Sequence, residues 1–207
     1  MSDATRDRLL ATAKTHFAER GFYGASIAQI ATELGLTKQA LLYHFKRKED
    51  LYAEILQAIS ERLIALVHDT ASPGDPPERR FEDMILGLFI ASREYPLDSR
   101  IITRELLDNQ IRAKTAKSWY LEPFLEELVA ALQAVPGLEK LPASRAFCIV
   151  YQLLGSIEYF AISGTTLESI YGASRHERFR ADFPIELRHQ IRRYIDEARS
   201  GFAGADY

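Results

Sequence analysis

The sequence contains few of the residues that secreted or metal-dependent proteins rely on. A single cysteine, Cys148, occurs in 207 residues, so no disulfide can form within one chain, and this fits a reducing cytoplasm. Because Cys148 lies in a dense apolar run, we expect a buried structural thiol rather than a redox sensor. The five histidines show no spacing typical of a metal site. We therefore expect neither a metal nor a cofactor.

Long apolar runs and catalytic motifs are also missing. The first residues, MSDATRDRL, lack the apolar core of a signal peptide, and no run approaches the roughly 18 apolar residues that a membrane helix needs. The sequence has no HExxH pair, no GxSxG turn and no phosphate-binding loop. We therefore expect a soluble cytoplasmic protein that is not an enzyme.

The chain has no overall excess of positive charge, since its net charge is −3. Its charges are nevertheless unevenly placed. Residues 1–50 carry eight Lys or Arg and six Asp or Glu, a net charge of +2, so the remaining residues carry −5. No acidic residue occurs between Glu33 and Glu49. A phosphate backbone that docked on this segment would release counterions without meeting a carboxylate.

Residues 26–48, SIAQIATELGLTKQALLYHFKRK, have the pattern of two short helices joined by a tight turn. Ser26 is suited to cap the first helix, because its hydroxyl can accept a hydrogen bond from an unpaired backbone N–H. Gly35 can end that helix in the left-handed conformation. The apolar face of the helix is formed by Ile27, Ile30, Ala31 and Leu34, spaced i, i+3, i+4 and i+7.

The second helix of this pair presents polar side chains outward. Thr37 is suited to cap it, and Leu41 and Phe45, four residues apart, are expected to pack inward. Tyr43 and His44 have two interpretations, since they can contact a nucleic acid or simply cover the core of the small domain. The outward-facing candidates are Lys38, Gln39, Leu42, Tyr43 and His44, and the basic residues Lys46 and Arg47 that follow can be phosphate contacts or solvated surface charges.

Residues 6–56 resemble the N-terminal domain of the TetR family of transcriptional regulators. The blocks AERGFYGASIAQIA, GLTKQALLYHF and KEDLYAEIL all occur at the spacing of that family. Two positions depart from its usual pattern. Arg47 stands where a Ser or Asn often caps the fourth helix, and Gln39 stands where Gly or Pro is common.

The resemblance implies that the third helix of the chain lies in the major groove of DNA. It implies that Thr37, Tyr43, His44 and Lys48 bind phosphates, whereas Lys38 and Gln39 face base edges. Lysine can donate to guanine, glutamine can pair with adenine, and Leu42 can touch a thymine methyl. The predicted DNA-binding residues are Ser26, Thr37, Lys38, Gln39, Leu42, Tyr43, His44, Lys46 and Lys48.

The remainder of the chain predicts further helices, so we expect an all-α protein with about nine to ten helices. A DNA-binding domain with three helices is expected in residues 1–50, and a helical domain for effector binding and dimerisation in residues 51–207. A helix from about residue 47 links the two. Proline and glycine break the chain at 71–77. The predicted helices are 5–20, 47–70, 77–95, 98–109, 112–134, 142–163 and 184–200, with a loop at 164–175.

The last two long helices suggest a partner chain, because the helix from Pro142 is apolar on several faces. The alternative is that both helices are central within one monomer. The resemblance favours a homodimer, since TetR-family proteins dimerise through a four-helix bundle of these elements. A dimer would read two half-sites of a pseudo-palindrome, roughly 34–36 Å or a multiple apart. The predicted interface residues are Ile149, Leu153, Phe160, Leu187, Ile191, Tyr194 and Ile195.

The resemblance also implies a pocket for a small-molecule effector, although any aromatic at helical spacing can equally be core packing. Glu158, within an apolar helix, needs a donor, which can be a ligand or a residue across the dimer. The pocket candidates are His68, Phe89, Arg104, Trp119, Tyr120, Phe124, Tyr151, Glu158 and Tyr159. The expected function is a repressor that an effector releases from its operator. An activator and a helical adaptor that binds only protein remain alternatives, and the effector, the operator and the regulated genes stay open.

Overall fold

A computed structural model describes residues 3–70, 72, 74–112 and 120–200 of the chain. This part is all-α, as predicted, and contains nine helices and no strand. The helices are α1 Asp3–Gly24, α2 Ile27–Glu33, α3 Lys38–His44, α4 Lys48–Thr70, α5 Pro77–Glu94, α6 Pro96–Arg112, α7 Glu122–Gln133, α8 Ala143–Tyr171 and α9 Ala173–Arg199.

The turns between the first helices follow from two glycines with positive φ. Gly21 (φ 68°) interrupts the helical conformation near the end of α1, and Gly35 (φ 69°) follows α2. The Gly35 N–H donates to the Thr32 carbonyl at 3.0 Å, and the Leu36 N–H donates to the Ala31 carbonyl at 2.9 Å. This pair of bonds is the Schellman arrangement that ends a helix at a left-handed residue. The predicted end of α2 is therefore confirmed.

The C-terminal part of the chain is more helical than its sequence suggested. The loop predicted at 164–175 is wrong, because α8 continues to Tyr171 and only Gly172 (φ 80°) separates it from α9. Gly164 lies inside α8, where the His176 ring comes within 3.7 Å of the place a Cβ would occupy. That is an ordinary van der Waals distance, so Gly164 marks neither a turn nor a place where only glycine fits. Pro184 was expected to start the last helix but lies inside α9.

By its own contacts the described chain forms two compact units. The first comprises the described residues of Met1–Glu61 and Tyr95–Tyr120, and the second those of Arg62–Glu94 and Leu121–Tyr207. Helix α6 therefore belongs to the first unit, although α5 before it and α7 after it belong to the second. The division of function between residues 1–50 and 51–207 stays a prediction.

Inside the second unit, buried Glu82 of α5 is bonded to two arginines of α9. Its carboxylate accepts a hydrogen bond from Arg192 Nε at 2.9 Å and lies 3.1 Å from Arg188 Nε. Aromatic rings pack beside this ion cluster. Phe183 of α9 stacks on Phe160 of α8, with ring centroids 4.2 Å apart, and on Phe89 of α5, at 5.2 Å. These contacts tie α5, α8 and α9 together.

Helix α8 departs from two expectations. Its 29 residues include an 18-residue window with a mean hydropathy of 1.4, so by length and composition it is able to cross a membrane, contrary to the expectation that no segment would. Core helices of soluble proteins meet the same criterion. Cys148, expected to be buried, is exposed on this helix. Both observations point to an apolar face of α8 that the chain itself does not cover.

Candidate nucleic-acid interface

Helix α3 is held at its start by a side-chain cap and along its length by two apolar anchors. The Thr37 hydroxyl accepts a hydrogen bond from the Ala40 N–H at 3.1 Å, as its sequence position predicted. Leu41 is 0% exposed and Phe45, immediately after the helix, is 3% exposed. Because these two residues face the core of the first unit, the opposite face of α3 is turned to solvent.

The exposed face of α3 contains the residues expected to meet DNA bases. Lys38 and Gln39, in its first turn, are exposed, and Lys46 is exposed just beyond the helix. Tyr43 is 80% exposed, with its ring edge-on to His44 at 5.7 Å between centroids. A tyrosine with that exposure does not cover the core, so this alternative is excluded for Tyr43. The face has donors and a phenol but no carboxylate between residues 34 and 48.

Leu42, His44 and Ser26 lie partly inside the unit. Leu42 and His44 are half-buried, and the Nε2 atom of His44 is buried without a hydrogen-bond partner. For His44, part of the ring thus does cover the core. Ser26 stands at the cap position of α2, as predicted, but its side chain makes no capping hydrogen bond, so the expected role of its hydroxyl is wrong. That hydroxyl is half-buried and remains a predicted DNA contact.

The start of α4 places two basic residues in different environments. The Lys48 ammonium lies 4.7 Å from the ring centroid of Phe22, and partial burial lowers the pKa of Lys48. Arg47 is exposed and donates to the Asp50 carboxylate at 2.7 and 3.3 Å. This pairing raises the pKa of Arg47 and lowers that of Asp50. Arg47 is therefore paired with Asp50, whereas the Lys48 ammonium lies against an aromatic ring.

An aromatic cluster supports the base of this surface. The Phe17 and Tyr52 rings meet edge-on with centroids 4.7 Å apart, and Phe22 lies 5.2 Å from Tyr52. On the other side, the Arg6 guanidinium lies 5.1 Å from the ring centroid of Phe45 and pairs with Glu54. The segments before and after α3 are thus both fixed by aromatic contacts.

Helix α6 braces the same unit with polar contacts that no local sequence pattern revealed. Arg104 donates to the carbonyls of Ala18 and Glu19 in α1, at 2.8 and 2.5 Å. The Tyr52 hydroxyl of α4 donates to buried Glu105 at 3.0 Å. About two turns earlier, buried Asp98 forms an ion pair with Lys14 of α1.

The effector-pocket candidates have different environments within the described residues. Phe89 and Phe124 are buried, whereas Tyr151 and Tyr159 are 44% and 74% exposed. Arg104 lies in the first unit, where its guanidinium is bonded to α1. The other candidates are exposed His68, 3.2 Å from Glu127, the half-buried Tyr120 and Glu158, and Trp119, which lies outside the described residues.

The predicted dimer residues are mostly inside the second unit. Leu153, Leu187, Ile191 and Ile195 are each at most 4% exposed and form part of its own core, so they do not offer a surface to a partner. Ile149, Phe160 and Tyr194 are half-buried. The large apolar residues that α8 exposes are instead Phe147, Tyr151, Tyr159, Ile162, Ile170 and Tyr171.

The chain matches known proteins over both the candidate interface and its full length. The family described as "Bacterial regulatory proteins, tetR family" matches residues 9–55. The HTH-type transcriptional regulator RutR of Escherichia coli K12 is 26% identical over 171 residues, which cover 83% of this chain and 80% of RutR. The HTH-type transcriptional repressor KstR2 of Mycolicibacterium smegmatis is 33% identical over 89 residues, 43% of this chain and 42% of KstR2.

Solved structures share the fold over nearly the whole chain. The fatty acid degradation regulator FadR of Bacillus halodurans superposes with a TM-score of 0.66 at 14% identity, covering 98% of each chain. A TetR-like transcriptional regulator of Rhodococcus sp. RHA1 gives 0.62 at 18% identity, covering 99% of each chain. At these identities the likeness concerns the fold alone.

Proposed function

Because this chain belongs to the TetR family of bacterial transcriptional regulators, we propose that it represses transcription by binding a pseudo-palindromic operator and releases it when a small molecule binds. The observation that supports this most directly is the exposed face of α3. There, Lys38, Gln39 and Tyr43 are turned to solvent on a helix anchored by buried Leu41. A protein that reads DNA acts where the chromosome is, so the proposed location is the cytoplasm.

In this proposal α3 enters the major groove with its first turn foremost. Lys38 donates to guanine, Gln39 pairs with adenine and Leu42 contacts a thymine methyl. Phosphates are bound on either side of these contacts and set the register of the helix. The proposed phosphate contacts are Ser26, Thr37, Tyr43, His44, Lys46 and Lys48.

Selection of bound duplexes from a random DNA pool tests this assignment. The purified protein is expected to enrich a site with two related half-sites, because a dimer presents two identical α3 helices. Affinity for the enriched duplex should fall steeply as salt rises, since phosphate contacts release counterions. Failure to enrich any palindromic sequence would contradict the proposed function, and a helical adaptor that binds only protein would give that result.

The proposed dimer uses the exposed apolar face of α8 rather than the residues first expected. Phe147, Tyr151, Tyr159 and Ile162 lie on this face, and no atom approaches within 4 Å of the place a Cβ on Gly155 would occupy. Large side chains beside an open glycine suit the close packing of two helices across a two-fold axis. Burial against a second copy would also cover the exposed apolar face of α8.

Light scattering during size-exclusion chromatography tests the dimer. The wild-type chain is expected to elute with twice the mass of one chain, and Tyr159→Glu is expected to elute as a monomer. The matched control is Tyr23→Glu, since Tyr23 is also exposed, at 54%, but lies in the first unit. A wild-type monomer, or a Tyr159→Glu dimer, would exclude this interface.

The effector response is proposed to act through α4, which starts in the first unit with Lys48 and ends in the second with Thr70. A ligand that favours one tilt of α4 would change the separation of the two α3 helices. It can do so only by its differential affinity for the two states, and a coupling of about 1–3 kcal/mol would change operator affinity about 5–150-fold. Titration of candidate small molecules into the operator complex tests this, and tight binding without a change in DNA affinity would contradict it.

A further inference from the structure

We propose that Arg104 and Glu105 of α6 are positioning residues for Lys48, holding α1 and α4 so that its ammonium stays in place to bind a DNA phosphate. The inference rests on the proposed function, in which Lys48 is a phosphate contact. Arg104 and Glu105 are consecutive in the chain and each bonds to a different helix of the DNA-binding unit. Together they fix the two helices that form the surroundings of Lys48.

Arg104 controls the end of α1. The helical conformation of α1 is interrupted at Gly21, and the carbonyls of the turn before such an interruption lose their intrahelical partners. The Arg104 guanidinium supplies two donors to this turn, at the carbonyls of Ala18 and Glu19. A cation at the carboxyl end of a helix is also favoured by the helix dipole. Arg104 therefore fixes where α1 ends and where Phe22, the next residue after the interruption, places its ring.

Glu105 controls the first turns of α4. Glu105 is 3% exposed and Tyr52 is 2% exposed. The Glu105 carboxylate accepts a hydrogen bond from the Tyr52 hydroxyl, with 3.0 Å between the two oxygens. Tyr52 lies one helical turn after Lys48, on the same side of α4, because residues four apart share a face. The Tyr52 ring also packs against Phe22, with centroids 5.2 Å apart. A bond at Tyr52 thus fixes the rotation of the part of α4 that carries Lys48.

Lys48 and Phe22 form a contact with one member on each of these helices. The ammonium lies 4.7 Å from the Phe22 ring centroid and is partly withdrawn from solvent. The four-carbon side chain of a lysine is flexible, so it does not by itself hold the ammonium over the ring. If α1 and α4 shift relative to each other, the ring leaves the ammonium and the lysine is free to adopt other rotamers. The position of Lys48 therefore depends on α6.

The test compares how salt affects the affinity of variants for a 30-base-pair duplex of random sequence, measured by fluorescence anisotropy at 10 °C. Each phosphate contact adds about 0.9 to the magnitude of the slope of log affinity against log salt, which is about an 8-fold change in affinity for each tenfold change in salt. Lys48→Ala sets the size of one lost contact. Arg104→Met removes the donors but keeps the stem, and Arg100→Met is the matched control, since Arg100 is an exposed arginine one turn earlier on α6.

Arg104→Met is expected to reduce the magnitude of the slope by about 1.8, which is about 0.9 from each chain of the proposed dimer, as Lys48→Ala does, and the double variant is expected to resemble Lys48→Ala alone. Arg100→Met is expected to keep the wild-type slope. An unchanged slope in Arg104→Met, or additive losses in the double variant, would overturn the inference. If Lys48→Ala itself keeps the wild-type slope, Lys48 is no phosphate contact and the proposed function loses that assignment as well.

Variants of Glu105 provide a second measurement in case Arg104→Met does not fold. Glu105→Gln retains an oxygen that accepts from Tyr52, whereas Glu105→Leu does not. Glu105→Gln is expected to keep the wild-type slope, and Glu105→Leu is expected to reduce its magnitude by about 1.8, with both proteins fully helical by circular dichroism at the measuring temperature. Equal slopes for these two variants would refute the role of Glu105.

Discussion

Thr37 combines two roles that substitutions can separate. Its hydroxyl caps α3 by accepting from the Ala40 N–H at 3.1 Å, and it is also a proposed phosphate contact. Helix α3 has only seven residues, and Leu41 is its one buried residue, so little else stabilises its first turn. Thr37→Ala removes both roles. Thr37→Asp keeps a capping oxygen and adds a negative charge that suits a helix N-terminus but repels phosphate.

The expected magnitudes follow from these contacts. Loss of the cap in Thr37→Ala should lower the free energy of unfolding by about 1 kcal/mol, which corresponds to about 2–4 °C in Tm for a chain of this size. Thr37→Asp should be at least as stable as wild type, yet it should bind the enriched duplex more weakly than Thr37→Ala. Of the two variants, Thr37→Asp is thus expected to be the more stable protein and the weaker DNA binder.

Urea unfolding followed by circular dichroism and duplex binding followed by fluorescence anisotropy measure the two effects. Thr32→Ala is the control for loss of a threonine hydroxyl, since that hydroxyl bonds to the Ala28 carbonyl inside α2 and caps nothing. Its stability should stay within about 0.5 kcal/mol of wild type. If Thr37→Asp is as unstable as Thr37→Ala, or binds duplex as tightly as wild type, the dual role of Thr37 is refuted.

Three further predictions concern the reading face, a turn and the second unit. Replacing Lys38 and Gln39 with Ala should relax sequence preference in duplex selection, whereas Lys48→Ala should weaken all sequences alike; equal loss of preference in both would contradict the assignment. Gly35→Ala should lower the free energy of unfolding in urea by about 1–2 kcal/mol, because φ is +69° at this position. Since no neighbour would touch the new Cβ, this cost comes from the backbone conformation alone, and a gain in stability would be inconsistent with the turn. Glu82→Ala should cost about 2 kcal/mol, because two arginines lose a buried partner; an unchanged unfolding midpoint would show that the cluster contributes nothing.

The part of the structure that the sequence predicts well is determined by neighbours in the chain. Gly35 ends α2, Thr37 caps α3, and Leu41 and Phe45 anchor α3, and each of these roles depends on residues at most a few positions away. Such local signals are readable because the backbone geometry of a cap or a turn restricts the residue type. Ser26 does occupy the cap position of α2, but its side chain makes no capping hydrogen bond, so the position was predicted correctly and the bond was not.

In the C-terminal helices, glycine and proline were misleading signals of helix ends. Gly164 suggested a loop and Pro184 a helix start, but both lie within long helices. Glycine in a helix costs about 1 kcal/mol relative to alanine, and packing can offset that cost. At Gly164 a Cβ would contact the His176 ring at 3.7 Å, an ordinary van der Waals distance, so packing does not require a glycine there. A glycine is therefore compatible with the interior of α8 and does not by itself mark a loop.

The distribution of apolar residues between core and surface also depended on tertiary contacts. Both faces of α8 are apolar, and the sequence could not tell which one the chain covers. The structure buries Leu153 and leaves Tyr151 and Tyr159 exposed, so Leu153, predicted as an interface residue, lies in the core of the second unit. Arg104 was likewise assigned to a pocket because its carbonyl partners in α1, 85 and 86 residues earlier, were not visible in the sequence.

The placement of α6 within the first unit has a consequence for modular exchange between regulators. The first unit, which contains α3, is assembled from the described residues of two stretches of chain, those up to 61 and those within 95–120, so no single cut isolates it. A chimera that takes residues 1–61 from this chain and the rest from another regulator would provide the fold of α6 but replace Arg104 and Glu105. Such chimeras should therefore preserve the base preference of α3 but bind DNA more weakly, unless Arg104 and Glu105 are transferred together with residues 1–61.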